Sequence, residues 1–509
     1  MSIFTKTPQV KTPKNTFDLS HDRKFAMQMG SLVPVLCMEV LPSDQIRINT
    51  SQLMRFAPMI APVMHQINTY THYFFVPNRI VWDGWDNFIS DPETTRVFPT
   101  LAYTANKDDL ISELPLLDYL GLPGTSADGG PTPSTQIVSA IPMAAYQMIY
   151  NEYYRDQNLI DEVDFQLNDA TNSANADLFL LRTRAWQHDY FTSALPWTQR
   201  GPEATIPVGA IEFEATGTND VLRNPTTGAP FAVANTIDTD ASGNVRSGGV
   251  LASLDNSANL AISNTNSTII DLRRAFKLQE WLETSARGGA RYTETIQAHF
   301  GITPQDSRLQ RPEFLGGTRS AVSISEVLQT SSNASEPTPQ GNMAGHGISA
   351  AGGNSITYRA QEHGYIIALQ SVLPKTAYSQ GIPKHFLKFD KYDYFWTQFQ
   401  HIGEQPIQNK ELFVADDGSN DETFGYTPRY AEYKFINSSI HGAFRTSLNY
   451  WHMAREFANR PSLNATFVSA NPTKRIFAVE DPAVEDLYVH LHHRISAKRP
   501  MAYFGQPKM

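Results

Sequence analysis

The side chains most able to do chemistry in this chain lie in LRTRAWQHDYFTSALPW, Leu181 to Trp197, where His188, Asp189 and Ser193 provide the residue types of a nucleophilic hydrolase. Such triads draw their members from separated segments, and a serine nucleophile on a strand-to-helix elbow sits in Gly-x-Ser-x-Gly. Ser193 has no such surround, so the sequence favours an architectural role for this block over a catalytic one. Two groupings have metal-ligand chemistry. In Leu487 to Ile495, extended geometry places Leu487, Val489, Leu491, His493 and Ile495 on one face and Tyr488, His490, His492 and Arg494 on the other. His490 and His492 would then share a cation, but the adjacent Arg494 opposes it, and a polar strand face against a neighbour or DNA is the favoured reading. The acidic turn Asp416, Asp417, Gly418, Ser419, Asn420, Asp421, Glu422 has oxygen ligands for calcium without the Asp-x-Asp-x-Asp-Gly spacing of an EF-hand. A solvated hairpin tip is its default reading. No Gly-rich phosphate loop with Lys-Ser or Lys-Thr is present, so no P-loop nucleotide hydrolysis is expected of this chain. Neither a metal nor a cofactor is expected.

The elements that must position these groups are mainly extended. From Met54 to Trp82 the chain is aromatic and free of acidic side chains, yet too interrupted by proline and polar residues to span a membrane. Ile67, Thr69, Thr71, Tyr73 and Phe75 fall on one side of a strand and Asn68, Tyr70, His72, Phe74 and Val76 on the other; both sides are bulky, so both should be covered. A first β-rich block is expected over about Ser31 to Trp82, with later strands at Tyr365 to Val372, Tyr392 to Phe399 and Leu487 to Ile495. Between them the period changes. Tyr146, Ile149, Tyr150, Tyr153 and Tyr154 predict an amphipathic helix over Met143 to Arg155, lying on the sandwich with Pro142 at its start. A second helix is signalled by Thr268 and Asp271 as cap partners and by Gly288 and Gly289 as its stop, and a third by Arg291 to Phe300 before Gly301. The fold class that follows is mainly β: an antiparallel β-sandwich with helices and long insertions in its connecting loops.

Composition narrows the function. Hydrophobic residues make up 41% and charged residues only 18% of the 509, which favours a large core and buried subunit contacts. Trp82, Trp85, Trp186 and Trp197 are expected at cores or subunit junctions. The lone Cys37 rules out an intrachain disulfide, so stability must come from packing and assembly. No apolar leader opens the chain, and assembly in the cytosol is expected.

Five blocks carry a resemblance: FDLSHDRK at Phe17 to Lys24, THYFFVPNRIVWDGW from Thr71, the Leu181 to Trp197 run, ARGGARYTETIQAHFG at Ala286 to Gly301 and RLQRPEFLGG at Arg308 to Gly317. Together they resemble the major capsid protein of the microviruses, small single-stranded DNA phages, and in particular the gokushovirus branch. The likeness covers residues 15–203 and 269–506. It implies that the sandwich is a single jelly roll, an eight-stranded antiparallel β-sandwich or barrel, and that sixty copies of this subunit build a T=1 icosahedral shell around a circular single-stranded DNA. It also implies a small basic DNA-binding partner, a minor pilot protein, no membrane, and a virion assembled in the host bacterial cytoplasm.

A net charge of −10 agrees that something other than this chain neutralises the genome. Its own basic residues cluster at the ends, with Arg23, Lys24 and Arg494 close to them. Lys6, Lys11, Lys14, Lys498 and Arg499 are candidates for phosphate contact, with Tyr503 and Phe504 as stacking neighbours; solvated tails are the plainer alternative. Residues 204–268 form a Thr-, Asn- and Ser-rich insertion in a core of 1–203 and 269–509, and the likeness fades there. Apolar runs at Thr205 to Phe213 and Phe231 to Ile237 suggest paired strands, hence an exposed subdomain, which the resemblance implies is a threefold protrusion. Phe213, Arg223, Phe231 and Arg246, its only aromatic and basic side chains, are the candidate contacts to a host receptor or glycan. The alternative function is a β-sandwich carbohydrate-binding protein or glycosidase, which would need a cleft with paired carboxylates.

Overall fold

The computed structural model describes residues 13–124, 134–202, 204–205, 213–215, 222–223, 237–239, 245–247, 250–251, 253–254, 260–262, 268–330, 341–352 and 355–504. Two compact units result, Met1–Thr198 with Gly288–Met509, and Gln199–Arg287.

The larger unit is built on two antiparallel sheets. Strands β1 (Asn15–Asp18), β2 (His21–Met27), β3 (Val33–Val40), β4 (Gln45–Phe56) and β5 (Ile67–Pro77) open the chain. After long connections come β6 (Glu313–Ala321), β7 (Ser323–Leu328), β8 (Met343–Ala351), β9 (Ile356–Arg359), β10 (Gly364–Pro374) and β11 (Leu487–Arg499). In the first sheet β2 and β1 pair with β11, β11 with β4, and β4 with β8 and β9 along successive stretches of its other edge, while β7 flanks β8. In the second the order is β6-β5-β10-β3. Taking β1 with β2 and β8 with β9 each as one interrupted strand, and setting β7 aside as an added edge strand, the first sheet reads first, eighth, third, sixth and the second fifth, fourth, seventh, second. That is the strand order of a jelly roll. The two sheets form an open sandwich rather than a closed barrel.

Alternation explains the layers. In β4 the residues Ile46, Ile48, Thr50, Gln52, Met54 and Phe56 are buried, whereas Gln45, Arg47, Ser51, Leu53 and Arg55 are exposed. The buried set joins Ile67, Tyr73, Phe75, Ile366, Leu487, Val489, Leu491 and Ile495 in the core between the sheets. β5 is covered on both sides as its sequence predicts: Phe74 and Val76 point away from that core into a second one with Trp82, Ile367 and Leu369. That second core is closed by the chain's own connection.

The cover is α1 (Ile141–Ile149), continued by a wider π-helical turn over Tyr150–Tyr154. It departs from the amphipathic helix expected on the surface: every residue of α1 except Pro142 is buried. The arc that should have been polar carries Ala144, Ala145 and Gln147, and the Gln147 amide is satisfied inside, donating to the Leu180 carbonyl at 2.9 Å and accepting from Arg182 Nε at 2.7 Å. The second and third helices form where expected. α2 (Ile269–Gly288) is capped by Thr268, whose hydroxyl donates to Asp271 Oδ2 at 2.7 Å, and α3 (Tyr292–Phe300) stops at Gly301, which turns left-handed at φ 67°.

The strand expected at Tyr392 to Phe399 is absent. Lys391–Asp393 and Thr397–Phe399 are single 3₁₀ turns. Asp393 Oδ2 accepts from the backbone of Phe389 and Asp390, both at 2.9 Å, and holds the chain in a turn. Its aromatic residues gave it strand character, but aromatic content also suits an exposed contact surface.

In the smaller unit, short ribbons pair Phe213–Ala215 with Leu260–Ile262, Leu222–Arg223 with Ser253–Leu254, and Ile237–Thr239 with Val245–Ser247, which pairs on with Val250–Leu251. The apolar runs expected as strands at Thr205 to Phe213 and Phe231 to Ile237 lie largely outside the described residues.

Candidate functional site

The hydrolase-like cluster is architecture. Asp189 is buried, and its Oδ1 accepts from the Phe191 and Thr192 amides at 2.9 and 2.8 Å and from the Thr192 hydroxyl at 3.0 Å. Its Oδ2 accepts from the Tyr378 hydroxyl at 2.7 Å. The Ser193 hydroxyl donates to the Asp189 main-chain carbonyl at 2.5 Å, and His188 is exposed. A carboxylate so occupied braces a turn rather than orienting a base.

Both metal candidates resolve into pairings with neighbouring side chains. In the register of β2 and β11, Asp22 lies opposite His492 and takes its Nδ1 at 2.6 Å, with His490 Nε2 3.7 Å from the other oxygen. That hydrogen bond to His492 holds the Asp22 carboxyl below its ordinary range. In the acidic turn Arg460 Nε meets Asp417 Oδ2 at 2.9 Å, and Lys410 pairs with Asp421. Among the described residues no group of three His, Cys, Asp or Glu has the geometry to hold a metal ion.

His493, on the inner face of β11, is fully buried within a chain of hydrogen bonds. The Tyr73 hydroxyl donates to Thr50 Oγ1 at 2.6 Å, Thr50 Oγ1 lies 2.8 Å from His493 Nδ1, and His493 Nε2 lies 3.0 Å from the Val35 carbonyl. The carbonyl only accepts, so Nε2 carries the proton and Nδ1 receives the Thr50 hydroxyl. Burial, reinforced by His21, pushes this imidazole down to about 4.

The candidate DNA-facing residues meet at one end of the first sheet. Asn15 lies opposite Arg499 and Thr16 opposite Lys498. Lys14 Nζ donates to the Ser43 carbonyl at 2.7 Å, while Arg499 pairs with the buried Asp44 at 3.1 Å and donates to the Glu39 carbonyl at 2.8 Å. Lys498 is exposed, Tyr503 donates to the Thr16 carbonyl at 2.9 Å and lies 5.3 Å from the Phe17 ring, and Phe504 is 87% exposed. Lys6 and Lys11 lie outside the described residues. In the insertion, Phe213 is opposite Ile262, Arg223 opposite Ser253 and Arg246 opposite Asp238; Phe231 lies outside the described residues.

Two surfaces were read in part or not at all from the sequence, which named only the β11 portion of the first, the polar face of Tyr488, His490, His492 and Arg494. The uncovered face of the first sheet carries Arg47 and Arg55, legible from the strict alternation of β4. The other is an exposed aromatic belt. Phe386, Phe389, Tyr392, Trp396, Tyr433 and Ile436 are all about half exposed or more, and Ile436 reaches 88%. Within it the Phe395 ring lies 5.0 Å from Tyr430 and 6.3 Å from Tyr433, whose ring Lys388 Nζ covers at 3.9 Å. A soluble monomer rarely leaves so much contiguous apolar surface in water.

Comparison with known proteins accounts for these features. Residues 5–509 match the family model described as Capsid protein (F protein). The chain is 34% identical to Capsid protein VP1 of Bdellovibrio phage phiMH2K, over 99% of this chain and 97% of that one. It is 32% identical to Capsid protein VP1 of Chlamydia phage 1, over 99% and 97%, and 30% identical to that of Spiroplasma virus 4, over 97% and 95%. None of these relatives is named as an enzyme, so the hydrolase and the glycosidase or carbohydrate-binding readings find no support. With a jelly-roll strand order, an aromatic belt open to solvent and a family match running almost end to end, the chain belongs to the capsid protein (F protein) family.

Proposed function

We propose that this structural capsid protein is the major subunit of a microvirus virion, with sixty copies closing a T=1 icosahedral shell in the host bacterial cytoplasm around a circular single-stranded DNA. The observation that carries the reading is the aromatic belt at residues 386–402 and 430–436, a surface suited to burial against a second copy. A small basic protein neutralises most of the genome, because a chain with 51 acidic against 41 basic side chains cannot; a minor pilot protein completes the particle. The insertion at 204–268 is the exposed subdomain, a protrusion at each threefold axis, that meets a host receptor or glycan. Phe389→Asp with Ile436→Asp tests the belt. Both side chains are more than four-fifths exposed in the subunit, so its circular dichroism and melting should be unchanged while particle yield collapses. Normal yield of shells from this variant would remove the belt from assembly.

A further inference from the structure

The outer face of the first sheet carries an unbalanced charge. Arg47 and Arg55 on β4, Arg359 on β9, and Arg494 and Lys498 on β11 are all exposed on that side. Register makes four of them neighbours, Arg55 lying farther along β4: Arg47 lies opposite Ser496 and Thr357, Arg494 opposite Asn49, and Lys498 and Arg359 both opposite Gln45. Arg47 is therefore diagonal to three cations, at the separation of about 7–8 Å over which long side chains interact. None of the five makes an ion pair among the described residues; the Arg47 Nε donates only to the Ser355 hydroxyl, at 2.7 Å. The acids nearby are Asp18, opposite Ser496 and next to Arg494, and Asp22, which is engaged by His492. Arg47, Asn49, Arg494 and Ser496 line a hollow of 490 Å³ together with Thr16, Phe17, Ser20 and the Asp18 carboxylate, so that hydrogen-bond donors stand beside the cations and one acid shares the hollow. Aromatic groups flank the face: Tyr488, 48% exposed and directly opposite Arg55, at one end, and Tyr503 beyond Lys498 at the other.

Four cations at neighbouring register positions, with Asp18 and the His492-engaged Asp22 the acids beside them, in a chain of net charge −10, form a local site for a polyanion. A basic protein would be repelled by it, and an apolar partner would have to desolvate guanidinium groups without pairing them. Exposed cations with flanking rings suit a single-stranded polynucleotide, held by its phosphates with bases stacked on the rings. We propose that the outer face of the first sheet, centred on Arg47, is a phosphate-binding track for single-stranded DNA. This rests on the capsid reading and deepens it, moving the main DNA contact from the chain ends to the sheet.

The test uses the full chain and a fluorescein-labelled oligothymidylate of about twenty nucleotides, titrated by anisotropy across roughly 50 to 300 mM NaCl. The variant carries Arg47→Gln, Arg359→Gln, Arg494→Gln and Lys498→Gln; a control of equal charge carries Lys107→Gln, Arg273→Gln, Arg274→Gln and Lys277→Gln, all exposed elsewhere. Losing four phosphate contacts should lower the slope of log affinity against log salt by about 3 and weaken binding at least about tenfold near physiological salt. The control should bind like the parent, and Tyr488→Ala should lose about fivefold or more. Equal binding by variant and parent, or equal losses in variant and control, would overturn the proposal. Melting curves verify folding, and negative-stain images of the same preparations read assembly separately. Shells formed by the parent with DNA affinity indifferent to the variant strike only this proposal; no shells from the parent strikes the capsid reading; a variant that binds DNA normally but fails to assemble makes the face a contact between copies and also overturns the proposal.

Discussion

At the scale of single residues, the groups that suggest chemistry hold the fold instead. Asp189→Ala would leave the Tyr378 hydroxyl and the Phe191 and Thr192 amides without their acceptor in a buried site. The expected cost is about 3–5 kcal/mol, read as a lower midpoint in urea unfolding of the subunit; a change under about 1 kcal/mol would remove Asp189 from this role. His493 makes the fold acid-sensitive in a definite direction. Its folded pKa is about 4, below the ordinary value near 6.5, so between these limits the unfolded chain binds the proton that the folded chain refuses. Stability is therefore whole above about pH 6.5 and falls as pH drops toward 4, by on the order of 3 kcal/mol. His72, pushed down to about 4 by burial and Arg184, acts in the same direction. His493→Gln should flatten the acid limb of a plot of melting temperature against pH, and an unchanged limb would show that another group sets it. The sequence placed His493 on the apolar face of its strand. What it could not show was the partner set, because Thr50, Tyr73 and Val35 come from three other strands.

At the scale of elements, legibility followed periodicity. β5 and β11 were readable face by face, since a period of two leaves no choice of which side chains enter the core. α1 was found, but its exposure was misjudged: a stripe of tyrosines signals one buried face, and only the surrounding chain decides whether Ala144, Ala145 and Gln147 are buried as well. Tyr392 to Phe399 failed for the opposite reason, since aromatic content without an available strand edge makes no sheet. Trp186 shows how the connections are anchored. It packs with Tyr70, Leu373 and Ala470, and its ring is covered by Arg455 at 5.2 Å. Trp186→Ala should cost roughly 3–5 kcal/mol through lost contacts and a residual cavity. Particles of this variant as heat-stable as the parent would show that Trp186 is not an anchor.

At the scale of the whole molecule, a two-sheet scaffold leaves an aromatic belt and a basic sheet face open to solvent and bears a polar insertion. Replacing residues 204–268 with a short Gly/Ser link should leave the jelly roll and particle yield intact while abolishing adsorption to the host. Failure to form particles would make the insertion an assembly element, and normal adsorption would reject it as the contact surface. The jelly-roll class was legible from strand patterning and from the resemblance together. The belt was not, and of the sheet face only the β11 part was, because both gather residues that the chain order keeps apart. The central claim, that this subunit exists to close a shell, is tested most directly by native mass measurement of the purified chain, with and without single-stranded DNA. It predicts a closed particle of about 3.4 MDa, sixty times the 56.9 kDa chain; a protein that remains a monomer or small oligomer under both conditions would contradict it.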